Sequence, residues 1–196
     1  MTKKFGIIGN PIKHSLSPTL HNYWFKKYKI DANYSLIDVN EDGLLDVVKK
    51  IKKRELDGIN ITLPYKQKIV SHIDLLVNDA ELTGSVNTLY VDDQGSVIGE
   101  NTDVFGLQAA YLKEVDDITS KRALIIGAGG VSPSVVLSLQ KSGVKHISII
   151  NRTKEKCLFL QRKFKNIKIS EWDNLKDEIK NYDIIINATS LGLKNG

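Results

Sequence analysis

The sequence predicts an α/β protein with two domains, and three observations support this. Apolar, β-branched strand-like segments alternate with helix-like segments along most of the 196 residues, which is typical of mainly parallel sheets covered by helices. A glycine turn between a strand and a helix, IIGAGG, lies in the second half of the chain and indicates a separate dinucleotide-binding unit. The polar segment DDITSKR is the clearest linker. We therefore expect an α/β substrate domain over residues 1–104 and a Rossmann-like domain over residues 105–196.

The first domain begins with the pattern strand, helix, strand, helix, strand. The strands are KKFGIIG, NYSLIDV and DGINIT, and their alternation with helices predicts parallel pairing. The first helix starts at Ser17-Pro18, where the serine hydroxyl can cap the helix and proline is tolerated. We expect one face of this helix to contribute to the core, namely Leu20, Tyr23, Trp24 and Tyr28. The segment SVNTLYVDDQGSVIGENTD predicts an antiparallel hairpin that turns at residues 92–95.

The second domain repeats a shorter strand–helix cycle after the helix DVFGLQAAYLKEV. Its strands are ALIIG, KHISIIN, IKIS and YDIIINAT, and they lack polar alternation, as expected for a parallel sheet covered on both faces. A doubly wound domain normally continues with further units, whereas no helix follows the last strand here. We therefore expect the Rossmann-like domain to be incomplete at its C-terminus.

Composition narrows the classes of partner. The net charge of +5 comes from lysines spread through the chain, and the densest run, KKIKKR, continues a helical pattern, so we expect no nucleic-acid partner. No apolar run reaches membrane length and the N-terminus lacks a signal-peptide pattern, which predicts a cytoplasmic protein without a membrane partner. One cysteine and four histidines without ligand spacing predict no metal site.

Two ionisable side chains in the first half are placed for proton transfer. Lys66 and Asp103 each follow an apolar run and stand beside small hydroxyl and amide side chains. Such a setting suits acid–base chemistry on a polyhydroxylated molecule.

The glycine turn and the next strand predict the cofactor. Gly127 and Gly129 permit a tight turn and a close approach to a pyrophosphate, and Gly130 keeps the start of the helix uncrowded. The second strand ends without the carboxylate that binds the ribose of NAD. It ends instead with donors suited to a 2′-phosphate, which favours NADP; these donors lie at Asn151, Arg152, Thr153 and Lys156.

The words GNPIKHSLSPTLHN, DGINITLPYK, TGSVNTLY, GENTD, IIGAGG, NRT and INATSLG follow one another between residues 9 and 192, within a match that extends from residue 4 to residue 192. In this order and at these spacings they resemble shikimate dehydrogenase. The resemblance implies reversible, NADP-dependent reduction of 3-dehydroshikimate to shikimate, an oxidoreductase step in chorismate and aromatic amino acid biosynthesis. The sequence departs from the family's N-T-D-G pattern at Val104.

The resemblance also implies roles for individual residues. Lys66 and Asp103 match the family's catalytic pair, and which of the two holds the mobile proton stays open. Ser15 and Ser17 match the hydroxyls that bind the substrate carboxylate; at positions i and i+2 of an extended loop they project to one side. The remaining matches are the ring-hydroxyl contacts Asn60, Thr62 and Asn87, and the additional cofactor contacts Ala128, Ala188 and Thr189.

Two alternative functions remain open on the sequence. The chain could be a truncated, non-catalytic fragment that still binds shikimate or nucleotide. It could also be a quinate or quinate/shikimate dehydrogenase, although Ser15, Ser17 and Arg152 disfavour this. The protein is expected to be a monomer or a homodimer.

Overall fold

The structure is a computed structural model that describes residues 1–192. The chain divides into two compact units, the first at Met1–Thr102 and the second from Asp103 onward, close to the boundary expected after residue 104. Residues 193–196, which belong to the expected second domain, lie outside the described residues.

The first unit contains a six-stranded sheet with the order β2-β1-β3-β5-β6-β4. As the strand–helix alternation predicts, β1 pairs in parallel with both β2 and β3. The expected hairpin is also present, and β5 is antiparallel to β3 and β6. The two-residue strand β4 was not predicted because it is too short to show a pattern. The strands are β1 Lys3–Gly9, β2 Ala32–Asp38, β3 Gly58–Ile61, β4 Leu75–Leu76, β5 Thr88–Val91 and β6 Val97–Glu100.

Helix α2 supplies most of the helical part of the first core. The unit's helices are α1 Ser17–Lys27, α2 Leu44–Lys52 and α3 Asp79–Thr83, with short 3-10 turns at Glu41–Gly43 and Lys68–His72. Leu44, Val47, Val48 and Ile51 of α2 are buried, at the i, i+3, i+4, i+7 spacing of one helical face. They pack with buried side chains of the central strands. Each such side chain contributes about 1.5–3 kcal/mol on burial, which fixes α2 on the sheet.

The prediction of which face of α1 packs into the core is wrong. Leu20, Tyr23, Trp24 and Tyr28 are 43–66% exposed, and no residue of α1 is fully buried. The half-buried residues of α1 lie instead on the other helical face, and they are Ser17, Pro18, His21, Asn22 and Phe25. Polar side chains occupy this inner face because two of them contact Tyr34 of β2. The Ser17 hydroxyl also forms no capping hydrogen bond, and Leu16 occupies the N-cap position.

The second unit contains four parallel strands in the order β10-β7-β8-β9. β7, the first strand of this unit in the chain, lies between β8 and β10, which is the strand reversal of a doubly wound fold. The α/β fold class with mainly parallel sheets is therefore confirmed. The elements are α4 Asp103–Ala110, β7 Arg122–Ile126, α5 Ser132–Lys141, β8 His146–Ile150, α6 Lys154–Lys163, β9 Ile167–Ile169, α7 Leu175–Glu178 and β10 Ile184–Asn187.

Helix α5 is the most buried helix of the second unit, and every residue from Ser132 to Leu139 is buried. Its serines allow close helix packing because their hydroxyls bond to nearby backbone. The Ser138 Oγ donates to the carbonyl oxygens of Ser134 and Val104 at 2.8 and 2.9 Å. Val104, which replaces the family's glycine, is itself fully buried in this core. The replacement of glycine by Val104 therefore affects the packing of α4 on α5.

Candidate functional site

The polar residues expected to bind substrate lie at one edge of the first unit's sheet. Asn60 is near the carboxyl end of β3, and Thr62 follows that strand. Because β5 runs antiparallel to β3, its beginning lies at the same edge, where Asn60 pairs with Thr88 and Asn87 immediately precedes the strand. The structure therefore brings Asn60, Thr62 and Asn87 together.

The loops after β1 and β3 are also joined at this edge. The Asn10 N–H donates to the Leu63 carbonyl oxygen at 3.0 Å. A Cβ atom on Gly9 would lie 2.5 Å from the Thr62 Cγ2 atom and 3.0 Å from the Leu63 carbonyl oxygen, so only glycine permits this approach. The SLSP loop therefore starts from a strand end that is in contact with the Thr62 segment.

Tyr34, which the sequence did not single out, bonds to Asn60 and lies near the two serines. The Ser15 and Ser17 Oγ atoms are 3.2 Å apart, and the Tyr34 hydroxyl donates to Asn60 Oδ1 at 2.7 Å. Burial raises the pKa of Tyr34 to about 12, whereas a hydrogen bond from the Ser17 side chain lowers it. A tyrosine within an alternating strand is usually a core residue, so only the polarity of the residues around it could have indicated this role.

The amide of Asn87 holds the segment that leads to Asp103. Its Oδ1 accepts from the Thr102 backbone N–H at 3.0 Å, and its Nδ2 donates to the Thr102 Oγ1 at 2.9 Å. Asn101 is buried and donates to the Ser85 carbonyl oxygen at 2.8 Å. Two asparagines therefore fix the backbone of the two residues that precede Asp103, the first residue of α4.

Lys66 lies in a turn that is fixed on both sides. The Tyr65 N–H donates to the Thr62 carbonyl oxygen at 3.0 Å, and the Lys66 carbonyl oxygen accepts from the Val86 N–H at 2.8 Å. The Tyr65 ring is 2% exposed and its hydroxyl donates to the Val39 carbonyl oxygen at 2.9 Å. Because Tyr65 packs into the core, the half-buried Lys66 side chain leaves the turn from a rigid base.

In the second unit, the glycine turn fits closely against the end of β10. Gly127 has φ +112°, and a Cβ atom there would lie 2.8 Å from the Ala188 carbonyl carbon and oxygen and from the Thr189 Cγ2 atom. The Gly127 N–H donates to the Ile150 carbonyl oxygen at 2.7 Å. The structure thus places the predicted residues Ala188 and Thr189 directly against the turn.

Gly129 and Gly130 complete the turn before α5. Gly129 is exposed, and a Cβ atom there would make only an ordinary contact, 3.7 Å from the Ala188 carbonyl oxygen. Ser132 Oγ donates to the Gly127 carbonyl oxygen at 3.0 Å, which closes the turn onto the helix start. An exposed glycine backbone before a helix N-terminus is a surface that suits a pyrophosphate.

The end of β8 presents unpaired cations beside this turn. Asn151 Oδ1 accepts from the Ala128 N–H at 3.2 Å, and Asn151 Nδ2 donates to the Thr153 carbonyl oxygen at 2.9 Å. Asn151 therefore connects the turn to the strand end. Arg152, Thr153 and Lys156 are exposed, and within residues 1–192 no carboxylate forms an ion pair with Arg152 or Lys156. Two unpaired cations and a hydroxyl fit a phosphate group.

Two further features of residues 1–192 concern metal ions and membranes. No group of three or more histidine, cysteine, aspartate or glutamate residues there could hold a metal ion. No helix in that range is long and apolar enough to cross a membrane.

Comparison with known proteins covers both units. The family described as "Shikimate dehydrogenase substrate binding domain" matches residues 7–89, and the family described as "Shikimate / quinate 5-dehydrogenase" matches residues 109–192. Shikimate dehydrogenase (NADP(+)) of Pelagibacter ubique is 44% identical over 99% of this chain and 71% of its own length.

Solved structures agree with these matches. Shikimate dehydrogenase from Aquifex aeolicus superposes with a TM-score of 0.90 at 34% identity, over 99% of this chain and 71% of its own. Shikimate 5-dehydrogenase from Thermus thermophilus, solved in complex with NADP(H) and shikimate, superposes with a TM-score of 0.84 at 29% identity, over 97% and 70%. Since the similarity includes the polar sheet edge of the first unit and the glycine turn of the second, the chain belongs to the shikimate dehydrogenase family.

Proposed function

We infer that this chain is an oxidoreductase that interconverts 3-dehydroshikimate and shikimate with NADP, a step of aromatic amino acid biosynthesis. Family membership supports this activity. The observation that carries it is the group of hydroxyl and amide side chains at the sheet edge of the first unit. The Ser15 and Ser17 hydroxyls bond to each other, and Asn60 bonds to the Tyr34 hydroxyl and to the Asn87 carbonyl oxygen. Such side chains suit a small molecule that has several hydroxyl groups and one carboxylate.

In this proposal, the two serines hold the carboxylate and the edge residues hold the ring. The Ser15 and Ser17 hydroxyls, 3.2 Å apart, each donate to one carboxylate oxygen. Asn60, Thr62 and Asn87 contact the ring hydroxyls. These contacts orient the ring in the first unit before any chemistry occurs, which is the positioning contribution to catalysis.

Lys66 and Asp103 carry the proton transfer. When shikimate is oxidised, the reacting hydroxyl loses one proton from its oxygen, and the Lys66–Asp103 pair accepts that proton. In the reverse direction, the Lys66 ammonium polarises the carbonyl oxygen, and the Lys66–Asp103 pair returns the proton to it. Hydrogen bonds hold the turn that carries Lys66, and asparagines hold the backbone of residues 101 and 102, just before Asp103.

The second unit holds the cofactor. Bound NADP supplies the hydride acceptor, and NADPH supplies the hydride. The turn at Gly127, Ala128, Gly129 and Gly130 would receive the pyrophosphate. Arg152, Thr153 and Lys156 would bind the 2′-phosphate, with Asn151 connecting them to the turn. Ala188 and Thr189 form the opposite side of the turn.

The test is an initial-rate assay that follows NADPH absorbance with shikimate or quinate, and with NADP or NAD. We expect turnover with shikimate and NADP, and a higher kcat/KM for shikimate than for quinate. Binding of shikimate by calorimetry without turnover would favour the non-catalytic alternative. A correctly folded protein with neither binding nor turnover would overturn the assignment.

The remaining expectations about partners stay predictions. Size-exclusion chromatography with light scattering tests the monomer or homodimer state, and cell fractionation tests the cytoplasmic location. The absence of nucleic-acid and membrane partners is tested by binding to duplex DNA, RNA and anionic vesicles, for which we expect no saturable binding.

A further inference from the structure

Tyr34 is held by helix α1 at both its backbone and its ring. The Asn22 side chain forms two hydrogen bonds with the Tyr34 backbone. Asn22 Nδ2 donates to the Tyr34 carbonyl oxygen at 2.8 Å, and Asn22 Oδ1 accepts from the Tyr34 N–H at 2.9 Å. The His21 ring stacks on the Tyr34 ring with centroids 4.3 Å apart and planes 6° apart. Tyr34 is 4% exposed, so its side chain has one fixed position.

Helix α1 also carries one of the proposed carboxylate ligands. Ser17 is its first residue and His21 lies four positions later, so the two side chains share one helical face. That face contacts the ring of Tyr34 through His21. The position of Ser17 is therefore coupled to that of Tyr34.

The hydrogen bond between Tyr34 and Asn60 has a defined direction. Asn60 Nδ2 lies 3.2 Å from the Asn87 carbonyl oxygen, which can only accept, so the amide nitrogen faces Asn87. The Asn60 Oδ1 consequently faces Tyr34 and the phenol hydroxyl donates to it, at 2.7 Å. Asn60 Nδ2 also donates to Thr88 Oγ1 at 3.2 Å. With both amide hydrogens engaged, Asn60 can offer a ligand only the second lone pair of Oδ1.

We propose that Tyr34 is a positioning residue for substrate binding, which orients the Asn60 amide as a hydrogen-bond acceptor and aligns Ser17 with it. This proposal rests on the proposed function, in which Asn60 and Ser17 contact shikimate. Tyr34 itself does not need to touch the substrate. Its hydroxyl determines that a ring hydroxyl of the ligand meets an oxygen, and not an NH₂ group, at Asn60.

Tyr34→Phe removes the hydroxyl and keeps the ring that stacks on His21. The Asn60 amide then loses the partner of its Oδ1, and Ser17 loses the phenol oxygen beside it. Loss of one buried hydrogen bond corresponds to roughly a tenfold change in an equilibrium constant. We therefore expect the Kd and KM for shikimate to rise about tenfold, with the Kd for NADP unchanged because the cofactor residues belong to the second unit.

The matched control is Tyr90→Phe. Tyr90 is a half-buried tyrosine of β5 in the same unit and has no part in the proposed site. We expect the Kd of Tyr90→Phe for shikimate to stay within twofold of the Kd of the unmutated protein. An equal effect of both variants would overturn the proposal, since it would show a general loss of stability in the first unit.

A double-mutant cycle separates positioning from structural damage. If Tyr34 acts through Asn60, then Tyr34→Phe should weaken shikimate binding less than twofold when Asn60→Ala is already present. Additive losses would overturn the coupling. An unchanged Kd in Tyr34→Phe would refute the inference alone, whereas absent shikimate binding in the unmutated protein would refute the proposed function and this inference together.

A measurement on the unmutated protein covers the case in which Tyr34→Phe does not fold. Both hydrogens of the Asn60 amide are bonded, so we expect its two side-chain signals in a ¹⁵N spectrum to be distinct and slow to exchange with water. Rapid exchange would show that the amide is not held and would overturn the proposal.

Discussion

Replacing Gly127 with alanine should remove NADP binding while leaving shikimate binding in place. Gly127 has φ +112°, in a region that L-residues rarely adopt, and its Cβ position lies 2.8 Å from two backbone atoms of Ala188. Because the neighbours are backbone atoms, no side-chain rotation can relieve the contact. Either the turn or the end of β10 must move.

The loss of unfolding free energy in Gly127→Ala has two contributions, backbone strain at residue 127 and overlap with Ala188. A non-glycine residue in such a conformation costs about 1–3 kcal/mol, and the overlap with Ala188 adds to that cost. We therefore expect the second unit to lose about 2–4 kcal/mol of unfolding free energy, within the range of strained-backbone mutations. If the turn moves instead, the stability loss is smaller and the pyrophosphate surface is lost.

The assay combines guanidinium unfolding with calorimetric titration of NADP and of shikimate. Gly129→Ala is the matched control, because its Cβ would make only a 3.7 Å contact and the stability of the variant should change by less than about 1 kcal/mol. Equal stability and equal NADP affinity of Gly127→Ala and the unmutated protein would refute the geometric argument.

Three further predictions concern single side chains. Lys66→Ala should lower kcat about 10²–10⁴-fold with a smaller change in the Kd for shikimate, and an unchanged kcat would contradict its role in proton transfer. Arg152→Ala should raise the KM for NADP about tenfold and the KM for NAD much less, whereas Arg162→Ala, an exposed arginine of α6, should change neither; equal losses with both cofactors would argue against a 2′-phosphate contact. Burial lowers the pKa of His21 below its ordinary value of 6.5, so below about pH 6.5 the unfolded state binds more protons and stability falls as the pH falls. His21→Phe should reduce this pH dependence in unfolding experiments at about pH 7.5 and 5.5; an unchanged dependence in His21→Phe would contradict the assignment.

The fold class and most helices and strands could be predicted from the sequence, because the periodic patterns of apolar residues agree with the packing. The α2 pattern gave one apolar face, and that face is buried. The four apolar strands of the second half form the four-stranded parallel sheet. The α1 prediction failed because apolar side chains were assumed to face the sheet, whereas the inner face uses His21 and Asn22 to hold Tyr34. A polar inner face can be predicted only when the residues that its side chains contact are known.

Candidate site residues could be proposed one by one from the sequence, but the hydrogen bonds between them could not. Sequence motifs led to Ser15, Ser17 and Asn60, and the structure adds the tyrosine between them. Tyr34 lies 26 positions from Asn60 in the chain, and its place beside Asn60 depends on β2 and β3 pairing on opposite sides of β1. A link of that kind follows from sheet order, which local patterns do not specify.

Asn60 and Asn87, at the sheet edge of the first unit, can hold the protein backbone and bind a ligand at the same time. Asn87 uses its amide to hold Thr102, and Asn60 uses both amide hydrogens on protein acceptors. A carbonyl oxygen has two lone pairs, so Asn60 Oδ1 can accept from Tyr34 and still accept from a ligand hydroxyl. The protein contacts set the direction of the remaining lone pair. In the proposed complex, the ring hydroxyl that meets Asn60 must therefore act as a donor. A shikimate analogue with a methoxy group at that position should then bind more weakly, whereas an asparagine with a free NH₂ group would tolerate the methoxy oxygen.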